Sequence, residues 1–146
     1  MKILLGIGNE LNGDDAVGCY IAKKFNCQGW LSIDCGTVPE NYLSKVIREK
    51  PEIVVIVDAA QMGLKPGAIR RISKENASSA FASTHTIALK QFISVAEKHS
   101  KKVILIGIQP KKVEIGTSIS KECLEATEKL FEILRKEDFE NIPWLG

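Results

Sequence analysis

The hydrophobic positions along this chain form two alternating kinds of run. Short unbroken apolar stretches occur at 2–8 ("KILLGIG"), 30–36 ("WLSIDCG"), 52–58 ("EIVVIVD") and 102–110 ("KVILIGIQP"). Their length, β-branched content and flanking Gly, Pro and Asp predict strands. Between them, apolar residues recur at helical spacing. Val17, Tyr20, Ile21 and Phe25 share a face between Ala16 and Phe25. Leu43, Val46 and Ile47 stripe a helix whose first turn suits Pro39. Leu89, Phe92, Ile93 and Ala96 point inward over 83–98, behind a Ser/Thr cap, and Leu124, Thr127, Leu130, Phe131 and Leu134 do so over 120–136. The stretch "MGLKPGAIRRI" at 62–72 predicts a Pro-Gly turn followed by a strand or edge segment, and the tail "EDFENIPWLG" an irregular cover.

The run at 52–58 is β-branched almost throughout, which places it centrally with both faces covered. Alternation of strands and helices predicts an α/β fold, a three-layer α/β/α sandwich around a twisted, mostly parallel sheet, as one domain over residues 1–146. No internal repeat, long linker or low-complexity segment interrupts it.

Composition narrows the function classes. A chain of 146 residues that is 45% hydrophobic buries enough surface to fold without disulfides. The net charge is +2 and the Lys-Lys pairs at 23–24, 101–102 and 111–112 are scattered, a pattern of solvated faces and not of a nucleic-acid track. Cys19, Cys27, Cys35 and Cys123 include no C-x-x-C pair, which argues against a zinc or iron–sulfur framework and for reduced thiols in the cytoplasm. The opening "ILLGIG" is too short for a signal peptide core or a membrane span, so no membrane insertion is expected.

The candidate chemistry gathers where strands end, the edge at which open α/β sheets bind ligands. Asp14 and Asp15 lie on the loop after the first strand, Asp34 ends the second, and Asp58 ends the third. His85 enters at a helix start, where the positive end of the dipole disfavours imidazolium and leaves the ring available as ligand or base. Several carboxylates near one neutral imidazole repel each other unless a divalent cation or a proton intervenes. Each member also has a purely structural reading. Asp14 or Asp15 can cap the following helix, Asp34 can bond loop amides, and Cys35 can be a small buried residue. Asp58 follows an apolar run and is costly to bury without a partner, which favours a functional role.

Familiar alternatives fail in detail. The dinucleotide fingerprint needs a third glycine where this chain has Leu11, and no P-loop sequence is present. A phosphoacceptor signalling domain, with its acidic cluster at the strand ends, is the better rival. It expects a Lys before the Pro that ends the last core strand, where this chain has Gln109.

The stretch "GIGNELNGDDAVG" (6–18) resembles the G-[IV]-G-N-x-x-x-x-D-[DE]-x-x-G signature of the hydrogenase maturation endopeptidases. "VDAAQMGLKPGAIRRI", "STHTIAL" and "ILIGIQP" resemble, in the same order, the subgroup serving formate-hydrogenlyase-type and related [NiFe] hydrogenases. The resemblance implies a processing peptidase that removes a C-terminal extension from the large-subunit precursor after nickel insertion. It implies metal contacts at Asp15, Asp58 and His85, with Asp15 and Asp58 as the catalytic carboxylates. Asn9, Asp14, Asp34 and Gly36 are then expected to position the loop or the substrate. The family often has Gly-Gly after the second-strand Asp, whereas this chain has Cys35-Gly36. No tightly bound cofactor of its own is implied, the nickel being supplied by the substrate. The implied partner is the nickel-loaded precursor, met by a monomer.

Overall fold

Continuous apolar runs form the strands of one five-stranded sheet in the computed structural model, which describes residues 1–81 and 86–146, side chains of 86–88 excepted. The strands are β1 (Lys2–Gly6), β2 (Trp30–Asp34), β3 (Ile53–Ala59), β4 (Ile69–Ile72) and β5 (Lys102–Ile108), in the order β2-β1-β3-β5-β4. All neighbours are parallel except β4, which runs antiparallel to β5 at the edge.

Successive strand residues face opposite sides of a sheet, so a strand covered on both sides must be apolar throughout. Ile3, Leu5, Val54, Ile56 and Leu105 face a layer made by α2 (Leu43–Glu49), α3 (Lys74–Ala80) and α4 (Thr86–Lys98). Leu4, Val55, Val57, Ile104 and Ile106 face α1 (Val17–Lys24) and α5 (Lys121–Lys136). This is the three-layer sandwich expected. Leu89, Phe92, Ile93 and Ala96 of α4 are buried, as their spacing requires.

Several details differ from the sequence reading. Ile47 and Leu124 are more than a third exposed. Each follows the buried residue of its turn, Val46 or Cys123, and a 100° step carries it off the inward face. Helix α3 was not anticipated, because "KENASSA" offers only Ala77 and Ala80 to the core. The tail is more than a cover. Phe139 and Ile142 are buried in the α5 layer, and the segment then runs beside β4, where Arg71 N–H donates to Pro143 O and Leu145 N–H to Arg71 O. It thereby shields the edge of the sheet. Among the described residues no helix is long and apolar enough to cross a membrane.

Two glycines of the opening motif serve packing. A Cβ on Gly6 would collide with Gly18 O and Ala22 Cβ, and one on Gly18 would collide with Ile7 O and Val57 O. Their absence lets α1 lie directly on the ends of β1 and β3, which sets the direction in which the preceding loop leaves the sheet.

Candidate active site

From β1 the chain crosses to β2 on one side, and from β2 it returns to β3 on the other. The carboxyl ends of β1 and β3 therefore flank a topological switch point, where loops diverge and leave a crevice. Asp58 is the penultimate residue of β3, opposite Gly107, and is fully buried. Strand alternation puts it on the same face as Ile56, the face packed by α4. Asp15 lies in a 3-10 turn, Gly13–Ala16, on the loop after β1; it is 7% exposed, and its Oδ2 accepts the Asn9 N–H at 3.2 Å. His85, the third member of the expected set, lies outside the described residues.

A cleft of about 300 Å³ opens above these strand ends. It is lined by Asn9, Asn12 and Asp15 from the loop after β1, Thr37 from the loop after β2, Ala59, Ala60 and Gln61 at and beyond the end of β3, and Pro110 and Val113 after β5. Asn9 has two duties there. Its Oδ1 accepts the Leu11 N–H at 3.0 Å, which turns the loop, while its own N–H holds Asp15.

Asp14 occupies a different environment although it precedes Asp15. Its Oδ1 accepts Ser120 N–H at 2.6 Å, and its Oδ2 accepts Lys111 N–H at 2.8 Å, Lys112 N–H at 3.2 Å and the Ser120 hydroxyl at 2.8 Å. Burial by itself would raise its pKa, yet these bonds from Ser120, Lys111 and Lys112 outweigh burial and hold the carboxyl below its ordinary value. Asp14 does not cap α1, the role its position suggested. It ties the signature loop to the loop after β5 and to Ser120, the N-cap of α5. That loop carries Val113, so Asp14 fixes a wall of the cleft from below.

Asp34 and Gly36 belong to the loop after β2. Asp34 Oδ1 accepts Gly36 N–H at 3.0 Å, and Gly36 O accepts Gly8 N–H at 2.9 Å, stitching that loop to the signature. Gly36 has φ of 56°, left-handed backbone that a side chain disfavours. Asp34 joins Glu10 and Cys19 in a group whose donor atoms lie within 4.8 Å of one another. Here the chain carries its own cation. Lys23 Nζ pairs with Glu10 and, at 3.5 Å, with Asp34. Burial again opposes ionisation of Asp34, but the Cys19 thiol, the Gly36 amide and Lys23 lower its pKa. The Cys19 thiol also reaches Gly8 O at 3.4 Å, and burial followed by the negative charge of Asp34 pushes it well above the usual thiol range. Cys35 is buried and pushed up to about 12, first by burial and then by Asp34 and Glu40.

One bracing residue was visible in the sequence only as the wrong residue for a signalling domain. Gln109 is buried, and its Oε1 accepts Met62 N–H at 2.7 Å and Leu64 N–H at 3.3 Å. Its Nε2 donates to Gln61 Oε1 at 3.1 Å and Pro110 O at 3.3 Å. Those partners lie up to 48 residues away, so nothing local in the sequence announces them.

Comparison with known proteins joins this arrangement to a family. Residues 17–137 match the family model described as "HycI: Hydrogenase maturation protease", a span that begins just after the acid pair. Hydrogenase 3 maturation protease of Escherichia coli K12 is 33% identical over 136 residues, covering 90% of this chain and 87% of the relative. The solution structure of the endopeptidase HycI from Escherichia coli superposes with a TM-score of 0.90 at 29% identity, over 100% of this chain and 97% of that one. The crystal structure of a [NiFe] hydrogenase maturation protease HycI from Thermococcus kodakarensis gives 0.78 at 29% identity, over 96% and 92% of the two chains. The chain belongs to the hydrogenase maturation protease family, and it is a peptidase.

Proposed function

We propose that this protein removes the C-terminal extension of a [NiFe] hydrogenase large-subunit precursor, and that nickel already inserted in the precursor is what it recognises. Within the family, the observation that carries this reading is the placing of Asp15 and Asp58 at the switch point between β1 and β3, beside a cleft on the described surface. Two carboxylates, with His85 as a third donor, suit a partly ligated nickel ion. A site built from these residues gains affinity when the substrate brings the cation that offsets their charge. Nickel beside the scissile bond then polarises a carbonyl or a bound water, and Asp15 or Asp58 takes up the proton. The protein needs no resident cofactor for this chemistry, and it acts as a cytoplasmic monomer in a transient complex with the precursor.

The three buried thiols are poor nucleophiles at neutral pH, and the fourth, Cys27, does not line the cleft. Cys35 is held near 12 and Cys123 near 11, mainly by burial, and Cys19 is raised further. The phosphoacceptor alternative loses support from two placements. Both oxygens of Asp14 are occupied by protein donors, so the acid pair is not open to a shared cation, and Gln109 is spent on bracing a loop.

The test is to incubate the protein with authentic nickel-loaded precursor and follow intact mass. The expected result is loss of the C-terminal extension by wild type and no loss with His85→Ala. A precursor left uncut by wild type, or an acid-labile phosphoryl group on Asp58 after treatment with a small phosphodonor, contradicts the proposal.

A further inference from the structure

We propose that the side-chain amide of Gln61 is a hydrogen-bond donor to a carbonyl oxygen of the peptide bound in the cleft, a substrate-binding role that rests on the peptidase reading above. Its orientation follows from the bonding pattern. A backbone N–H can only donate, so the Gln109 atom 2.7 Å from Met62 N must be the oxygen. The other Gln109 atom is then NH2, donating to Pro110 O and to Gln61. The Gln61 atom that meets it at 3.1 Å must therefore be its oxygen. This leaves the Gln61 NH2 group pointing away from Gln109, with no acceptor among the described residues. Gln61 is exposed and, three residues beyond Asp58, lines the same cleft as Asp15.

An exposed glutamine ordinarily samples many rotamers. This one is held by a buried amide whose oxygen and nitrogen are each engaged twice, so its donors are fixed before a ligand arrives. The cleft offers an extended peptide few other fixed side-chain donors. Lys111 and Lys112 point their charges at Glu122 and Glu114. Asn9, held through its oxygen by the Leu11 N–H, is the other lining amide shown with its oxygen engaged, so its NH2 is a second oriented donor beside that of Gln61. A neutral donor beside two carboxylates suits a neutral acceptor, a peptide carbonyl, and not an anion, which Asp15 would repel.

The experiment compares kcat/KM for cleavage of nickel-loaded precursor by wild type, Gln61→Met and Gln61→Glu, with Tm as the control for folding. Gln61→Met removes the donor at nearly constant length and is expected to lose about tenfold. Gln61→Glu keeps an oxygen for Gln109 but turns a second oxygen towards the substrate carbonyl, so a larger loss is expected, with Tm of both variants near wild type. The opposite order is the signature of a purely bracing role, since only the acceptor would then matter. Gln61→Glu at wild-type activity, or Gln61→Met as the more damaged of the two, overturns this assignment while leaving the peptidase reading intact. A wild-type protein that leaves the precursor uncut removes both.

Discussion

Asp14 and Asp15 are neighbours on one loop, both buried, and the molecule uses them in opposite ways. Beneath the loop, Asp14 sits in a clamp of three backbone amides and one hydroxyl that satisfies both oxygens and lowers its pKa despite burial. On the other side, Asp15 lines the cleft beyond the end of β1, across from the end of β3 that bears Asp58. A third group, Glu10 and Asp34, lies outside the cleft lining and pairs with Lys23. Acidity and burial are therefore poor guides to function here. What separates the groups is place: Asp14 is locked to the loop after β5 and to Ser120, Glu10 and Asp34 share Lys23, and Asp15 lines the cleft.

The sharpest break of this comparison is at the cleft. Asp58→Asn preserves the shape of the side chain but removes its charge, and is expected to lower cleavage at least about a thousandfold while leaving the fold intact by circular dichroism. Comparable activity in the variant would mean that the crevice is not the reaction site.

The clamp should respond in stability. Asp14→Ala strips an acceptor from four donors and is expected to cost about 2–4 kcal/mol, seen as a lower urea midpoint at an unchanged slope. Because its folded pKa lies below the ordinary 3.8, Asp14 stabilises the protein above that pH, and the benefit is lost as pH falls through the folded value. The acid side of the wild-type stability profile should therefore be steeper than that of Asp14→Ala. Identical profiles would remove the clamp from the account.

Much of this architecture was legible in the sequence, for a definite reason. Strands β1, β3 and β5 are covered on both faces, so their apolar runs are unbroken, and α4 and α5 bury regular stripes. Helix α3 was hidden because it contributes only two alanines to the core. The switch-point placement of Asp15 and Asp58 follows from strand order and from the signature. The different fates of Asp14 and Asp15 do not, because the donors to Asp14 come from residues about a hundred positions later. The Gln109–Gln61 contact was hidden by the same separation in sequence, and His85 lies outside the described residues.

Smaller effects sharpen the same contrast. Of the four cysteines, Cys27 is partly exposed, while Cys19, Cys35 and Cys123 are buried with raised pKa values. Native alkylation at pH 8 should add one label, at Cys27, and unfolding should release the rest; rapid native labelling of Cys35 would contradict its burial. Lys23→Gln removes the cation paired with Glu10 and Asp34. Exposed pairs of this kind contribute little, so both Tm and cleavage should match wild type.

The central claim is that the cation belonging to the Asp15–Asp58 crevice arrives with the substrate. The most direct measurement incubates wild-type protein with matched preparations of large-subunit precursor, one nickel-loaded and one nickel-free, and follows intact mass over time. The expected result is loss of the C-terminal extension from the loaded precursor alone, with cleavage of the other appearing only after nickel is inserted. Equal cleavage of both preparations would contradict the account.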